Sequence, residues 1–214
     1  MFSEEALERS KEYVERFLEH RFLMELSECK LPLKKFAFYL EQDDIFLKDM
    51  DQARKALAAR EKSERSKNLN SLLNSVYRHE LRARRDLVSK ELKIGKDVQS
   101  APTTLAYTSY LIRLAYTGSF EEAFASLIPC PRLYTMIGDR YSECLASKHR
   151  VYGKWLSIYT SSEMKSWTQK LLKMLDSLAE KNPSKKEEMM QSYLTSCRYE
   201  IRFFDMAYNM ESWD

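Results

Sequence analysis

Three reactive side chains interrupt otherwise apolar helical stripes, and each belongs to a type that does chemistry. Phe36, Leu40, Leu47 and Met50 recur at helical spacing, and Asp43 stands between Leu40 and Leu47 on that stripe. A carboxylate on a core-facing stripe costs several kcal/mol unless it is paired or hydrogen-bonded. It is therefore either a structural group satisfied by a neighbouring helix or part of a site. Glu200 repeats the pattern inside the stripe Tyr193, Cys197, Phe204 and Ala207, with Phe203, Phe204 and Tyr208 crowding the next turn. A Glu among aromatics has a raised pKa and can act as a general acid. The alternative is a buried ion pair with an Arg such as Arg198 or Arg202. The third case is Cys130 on the stripe Leu127, Tyr134, Ile137 and Tyr141. It lies between Pro129 and Pro131, whose rings disrupt helical bonding and make a helix end or a cavity at the thiol. Cys197 shares the face of Glu200 but reads first as packing, as do Cys144 and Cys29.

Phenols and indoles accompany these groups. Tyr107 and Tyr110 open one stripe, Tyr152, Trp155 and Tyr159 form another, and Tyr134 sits one turn after Cys130. Such stripes are core more often than site. With an acid and a thiol facing the same interior they would make a pocket for a flat, polar heteroaromatic ligand. Aromatic faces would stack its ring, and carboxylates would read its N–H edge.

Other chemistries find less support. His20, His79 and His149 pair with no cysteine in a protease pattern, and no Cys/His set has zinc spacing. His20 falls on the stripe Tyr13, Phe17 and Met24, where a packing histidine competes with a haem ligand. The run RHELRARR is short and mixed in sign, which favours a solvated helix face over a nucleic-acid contact.

The elements that must position these groups are helices. The chain has 214 residues, a formal charge of +3 and only 4 Gly, which argues against Gly-rich phosphate loops and turn-dense β folds. No apolar run reaches membrane-spanning length, and the charged N-terminus does not resemble a signal peptide. The expectation is a cytoplasmic protein with reduced thiols, no membrane and no nucleic-acid partner. One helix is predicted from Ser3, as N-cap, to about Ser27, and a second after Pro32 to about Arg60. A third long, charged helix follows, from about Lys62 to Leu92, then a loop. Shorter helices stop at Gly118, open with a capping box at Ser119–Glu122 and break at Pro129 and Pro131. The stretch 150–159 is helical, another helix ends at Asn182-Pro183, and a capping box at Ser184–Glu187 opens the last. Seven or eight helices without a strand pattern imply a single all-α domain over residues 1–214.

The segments LPLKKFAFYLEQDDIFL, AYTSYLIRLAYTGSFEEAFASLIPCPRLYTMIGDRY, KWLSIYTS and CRYEIRFFDMAY resemble the TenA family, also called thiaminase II or aminopyrimidine aminohydrolase. Three features carry the resemblance. They are Gln-Asp followed three residues on by an aromatic, L-x-P-C-x-x-x-Y, and Y-E-x-x-F-x-x-M-A-Y. It implies a haem-oxygenase-like helical bundle without haem, a homotetramer, and hydrolysis of pyrimidines substituted at the methylene on C5. The small-molecule substrates would be 4-amino-5-aminomethyl-2-methylpyrimidine and thiamine, and no metal or organic cofactor would be needed. By motif, Cys130 matches the nucleophile, Glu200 the catalytic acid and Asp43 the pyrimidine-binding carboxylate. Tyr107, Tyr134, Tyr159 and Phe203 match pocket aromatics. Phe46 stands where the family often has a Tyr that tunes the thiol. A non-catalytic helical binder of a pyrimidine or a haem is the competing reading.

Overall fold

The computed structural model describes residues 1–60, 98–145 and 150–214, together with 67, 71, 72, 74, 75, 78 and 79. Most of the segment expected to form a long charged third helix, with most of RHELRARR, lies outside the described residues, as do the side chains of Cys144 and His149. Ten α-helices are described, and no strand is found among the described residues. They are α1 Phe2–Arg9, α2 Lys11–Leu18, α3 Arg21–Ser27, α4 Leu33–Arg60, α5 Pro102–Thr117, α6 Phe120–Leu127, α7 Pro129–Leu145, α8 Arg150–Thr160, α9 Ser162–Lys181 and α10 Lys186–Asn209. A 3₁₀ turn at Pro183–Lys185 precedes α10. Among the described residues, no helix is long and apolar enough to cross a membrane.

The expected first helix is three. Ser3 is not its cap: it lies inside α1, where its N–H and Oγ bond the Asp176 carboxylate on α9 at 2.6 and 2.9 Å. The first break falls at Ser10, whose Oγ donates to the Leu7 carbonyl at 3.1 Å and so competes with helical bonding. The second falls at His20, extended at ψ 138°, whose Nδ1 accepts from the Phe22 N–H at 3.1 Å and caps α3. A histidine acting as an N-cap is not a standard sequence signal. The Ser184–Glu187 capping box also fails to form. The N-cap of α10 is Lys185 without a side-chain bond, and Glu187 instead pairs with Arg9 on α1 and with Gln191.

Other signals act as expected. Ser119 Oγ accepts from the Glu122 N–H at 3.2 Å and opens α6. The chain breaks at Ile128, and α7 begins on Pro129. Both prolines thus fall in the first turn of α7, where backbone N–H groups have no intrahelical partner and a missing one costs little.

Helix α10 packs against α1 through α7, so its buried face lies at the centre of the bundle. The pairs α4–α5, α6–α10 and α7–α8 make the most extensive contacts. Gly138 sets the last of these. A Cβ there would sit 2.7 Å from the Tyr159 carbonyl oxygen, so α7 and α8 approach this closely only with glycine at that point. Gly138 is one turn beyond Tyr134, and the approach brings the Tyr134 and Tyr159 rings to 4.9 Å.

Candidate active site

Five helices meet at the core of the bundle. Helix α4 supplies Asp43 and Phe46, α5 supplies Tyr107, α7 supplies Cys130 and Tyr134, α8 supplies Tyr159, and α10 supplies Glu200 and Phe203. All eight are buried. Tyr107 Oη donates to Glu200 Oε1 at 2.8 Å. Phe46 lies 4.9 Å from the Tyr107 ring and 5.5 Å from the Phe203 ring, which bridges α4, α5 and α10. Tyr134 is in edge contact with Trp155 and tilted against Tyr159. Every candidate from the sequence therefore falls in one connected cluster, tied by ring contacts or by the charge interactions below.

Charge interactions tie Asp43 and Cys130 to the same groups. Burial pushes the Glu200 carboxyl up to about 8, the charge of Asp43 adds to this, and the Tyr107 hydrogen bond opposes it. Burial also raises the Tyr107 phenol well above its ordinary value, with Glu200 and then Cys130 adding. For Tyr134 the upward push comes from burial first, then from Tyr39, Glu200, Asp43 and Tyr159. Near neutral pH Glu200 is thus a protonated carboxylic acid, 2% exposed, able to give a proton to a ring nitrogen. In place of the alternative ion pair, Glu200 has a phenol partner. Arg198 bonds the Tyr13 hydroxyl at 3.0 Å, and Arg202 is exposed on the outer face of α10.

Cys130 is the second residue of α7. Its thiol is 8% exposed, at a helix N-terminus where the backbone dipole favours negative charge. Cys197 behaves as packing: burial pushes its thiol up to about 12, with Glu200 adding and Arg132 opposing. Asp44, next to Asp43, points outward and pairs with Lys48 at 2.6 Å. His20 has both ring nitrogens engaged, Nδ1 with Phe22 and Nε2 with Asp205 at 3.1 Å, which leaves neither for a haem iron. Among the described residues, no three His, Cys, Asp or Glu side chains converge to hold a metal ion.

Two contributors were given no role by the sequence reading. Gln42, 1% exposed, donates from Nε2 to the Gln99 carbonyl at 3.0 Å and accepts at Oε1 from the Ala101 N–H at 2.9 Å. It thereby pins the start of α5 to the turn of α4 that carries Asp43. Tyr39, one turn before Asp43, donates to Tyr134 Oη at 2.9 Å. Its position, four residues ahead of Asp43, was the available signal.

A surface cleft of about 540 Å³ lies on the far side of α10, lined by Tyr13, Arg16, Arg198, Tyr199 and Arg202 among others. It contains none of the eight candidates. It meets their cluster at Tyr199, which stacks on Tyr107 at 4.8 Å and 7°.

The geometry can be set beside known proteins. The model of the TENA/THI-4/PQQC family matches residues 6–210. An aminopyrimidine aminohydrolase of Halalkalibacterium halodurans is 33% identical, over 100% of this chain and 98% of that one. An aminopyrimidine aminohydrolase of Bacillus subtilis is 28% identical, over 99% of this chain and 92% of that one. In structure, a TenA homologue from Pyrococcus furiosus superposes with TM-score 0.88 at 26% identity, covering 97% of this chain and all of that one. A TenA homologue from P. horikoshii has TM-score 0.89 at 24% identity, covering 98% and 99%. The same all-α fold and an end-to-end sequence match together place the chain: it belongs to the TENA/THI-4/PQQC family.

Proposed function

We propose that this chain is an aminopyrimidine aminohydrolase that converts 4-amino-5-aminomethyl-2-methylpyrimidine and water to the hydroxymethyl pyrimidine and ammonia. Thiamine, with the thiazole as leaving group, is the second substrate. The observation that carries the reading is the buried Tyr107–Glu200 pair, with the acid held protonated and Asp43 and Cys130 both acting on the same cluster. The relatives named above bear that activity in their names.

An aminopyrimidine is a poor electrophile until a ring nitrogen is protonated or strongly hydrogen-bonded. Glu200 gives that proton. Cys130 thiolate then adds to the activated ring, and the adduct expels the protonated amine of the exocyclic methylene as ammonia. Water adds to that methylene and gives up a proton to solvent, the Cys130–ring bond breaks to restore the thiolate, and the ring proton returns to Glu200. Asp43 accepts from the amidine-like N–H edge and fixes the ring. Tyr107, Tyr134, Tyr159, Phe46 and Phe203 pack its faces. The assembly we propose is a homotetramer of single-domain chains in the cytoplasm, with light scattering as the check on its mass.

Ammonia release from the aminomethyl pyrimidine, measured beside thiazole release from thiamine, tests this reading. The expected result is the same pyrimidine alcohol from both. Neither activity in a folded preparation overturns it.

Asp43→Asn is expected to act on binding. The substrate loses a charge-assisted contact of about 1–3 kcal/mol, so KM rises about 5- to 150-fold while kcat changes little. A kcat loss without a change in KM would give Asp43 a different role.

Phe46→Tyr probes the residue where this chain departs from the family pattern. Phe46 packs on Tyr107, and Tyr107 feels the Cys130 charge. A hydroxyl added there is expected to hydrogen-bond the thiolate and lower the thiol pKa. The competing effect is steric, about 1–3 kcal/mol in a packed site. Iodoacetamide alkylation as a function of pH separates them. An unchanged thiol pKa with unchanged turnover means that residue 46 does not tune this cysteine.

A further inference from the structure

Among the phenols of the site, Tyr134 holds a special place, because a fully buried neighbour already uses its oxygen. Tyr39 is 0% exposed and sits among the rings of Phe22, Phe36, Trp155, Phe203 and Phe204, at 5.2 to 6.0 Å. From that apolar cage its hydroxyl donates to Tyr134 Oη at 2.9 Å. A phenol has one proton. With Tyr39 donating from the core side, the Tyr134 proton is left to point the other way. Glu200 and Asp43 both act on Tyr134 by their charge, which favours a proton turned toward them. A chain of donors running toward negative charge is mutually reinforcing, each bond polarising the next.

We propose that Tyr39 is a positioning residue for the hydrolysis: its hydrogen bond makes Tyr134 a one-way donor into the site, aimed at the substrate's acceptor atoms. The inference rests on the reading of Tyr134 as a pocket residue. In the complex the acceptor is a ring nitrogen or the departing amine, both of which carry a lone pair. Without Tyr39 the Tyr134 hydroxyl is free to rotate, and it then presents a lone pair to the substrate part of the time. The cost falls on orientation of the reacting complex rather than on the fold.

A double-mutant cycle reads this directly. Tyr39→Phe keeps the ring in its cage and removes only the donor. It is expected to lower kcat/KM about tenfold, mainly through kcat, with the far-UV spectrum retained. In a Tyr134→Phe background, Tyr39→Phe is expected to change kcat/KM less than twofold, because the oxygen that it acts through is gone. Independent, multiplying losses would show that Tyr39 acts by packing alone and overturn the proposal. Wild-type kcat/KM in Tyr39→Phe, with Tyr134→Phe impaired, overturns it while leaving the site reading in place. Wild-type kcat/KM in Tyr134→Phe overturns both.

Discussion

Cys130→Ser is expected to abolish turnover, by at least about 10³-fold, while fold and pyrimidine binding persist. The serine hydroxyl is nearly isosteric with the thiol but far less nucleophilic near neutral pH, and no histidine is described beside it to serve as a base. The position is also tolerant of the change. It lies in the first turn of α7, between two prolines, where local backbone geometry does not depend on sulfur. The measurement is steady-state ammonia release together with equilibrium binding of the pyrimidine alcohol. Rates near wild type in Cys130→Ser would sink the covalent route. Cys197→Ser is the control, and activity should be retained, because that thiol is buried and pushed up to about 12.

Glu200→Gln has the second large effect, a fall in kcat of about 10²- to 10⁴-fold with modest change in KM. The amide still offers an oxygen to the Tyr107 hydroxyl, so the local hydrogen bond survives and the proton donor alone is lost. The raised carboxyl adds a pH signature. In the wild type, a step that needs protonated Glu200 falls off as the pH rises through about 8. Stability follows the same group. Its folded value lies above the ordinary 4.5, so the folded state holds this proton more tightly than the unfolded chain does. The resulting stabilisation is complete below about 4.5 and is lost progressively as the pH rises to about 8. Glutamine does not titrate. The wild type should therefore lose thermal stability relative to Glu200→Gln between pH 5 and pH 8.5. A constant difference in Tm across that range would mean that the carboxyl is not held protonated.

How much of this was legible beforehand varied with the physics that decides each feature. Asp43, Cys130 and Glu200 were visible because a polar or reactive group on an apolar stripe stands out at helical spacing, and their stripes are buried apart from the half-buried Met50. The break before Pro129 and the cap at Ser119 follow from local backbone chemistry, which the sequence displays in full. The division of the first segment at Ser10 and His20 was not visible, because each break depends on a side chain that bonds its own backbone. Nor was the partner of Glu200. A phenol from α5 and an arginine on the same helix both satisfy a carboxyl on paper, and only the packing of α5 against α10 selects Tyr107. Tyr39 and Gln42 were missed for a related reason. On a broad buried face such as that of α4, aromatic and amide side chains look like filler until the group across the interface is known.

The claim that the aminopyrimidine sits against Cys130 is open to one direct measurement. Purified protein is alkylated with iodoacetamide, with and without saturating hydroxymethyl pyrimidine, and the modification of each cysteine is followed by peptide mass. Cys130 should be modified in the free protein and protected, by about tenfold or more in rate, when the pyrimidine is bound. Cys29, which is half-buried at the turn after α3, should react at the same rate in both. Equal modification of Cys130 with and without the pyrimidine would place the ligand elsewhere and contradict the site.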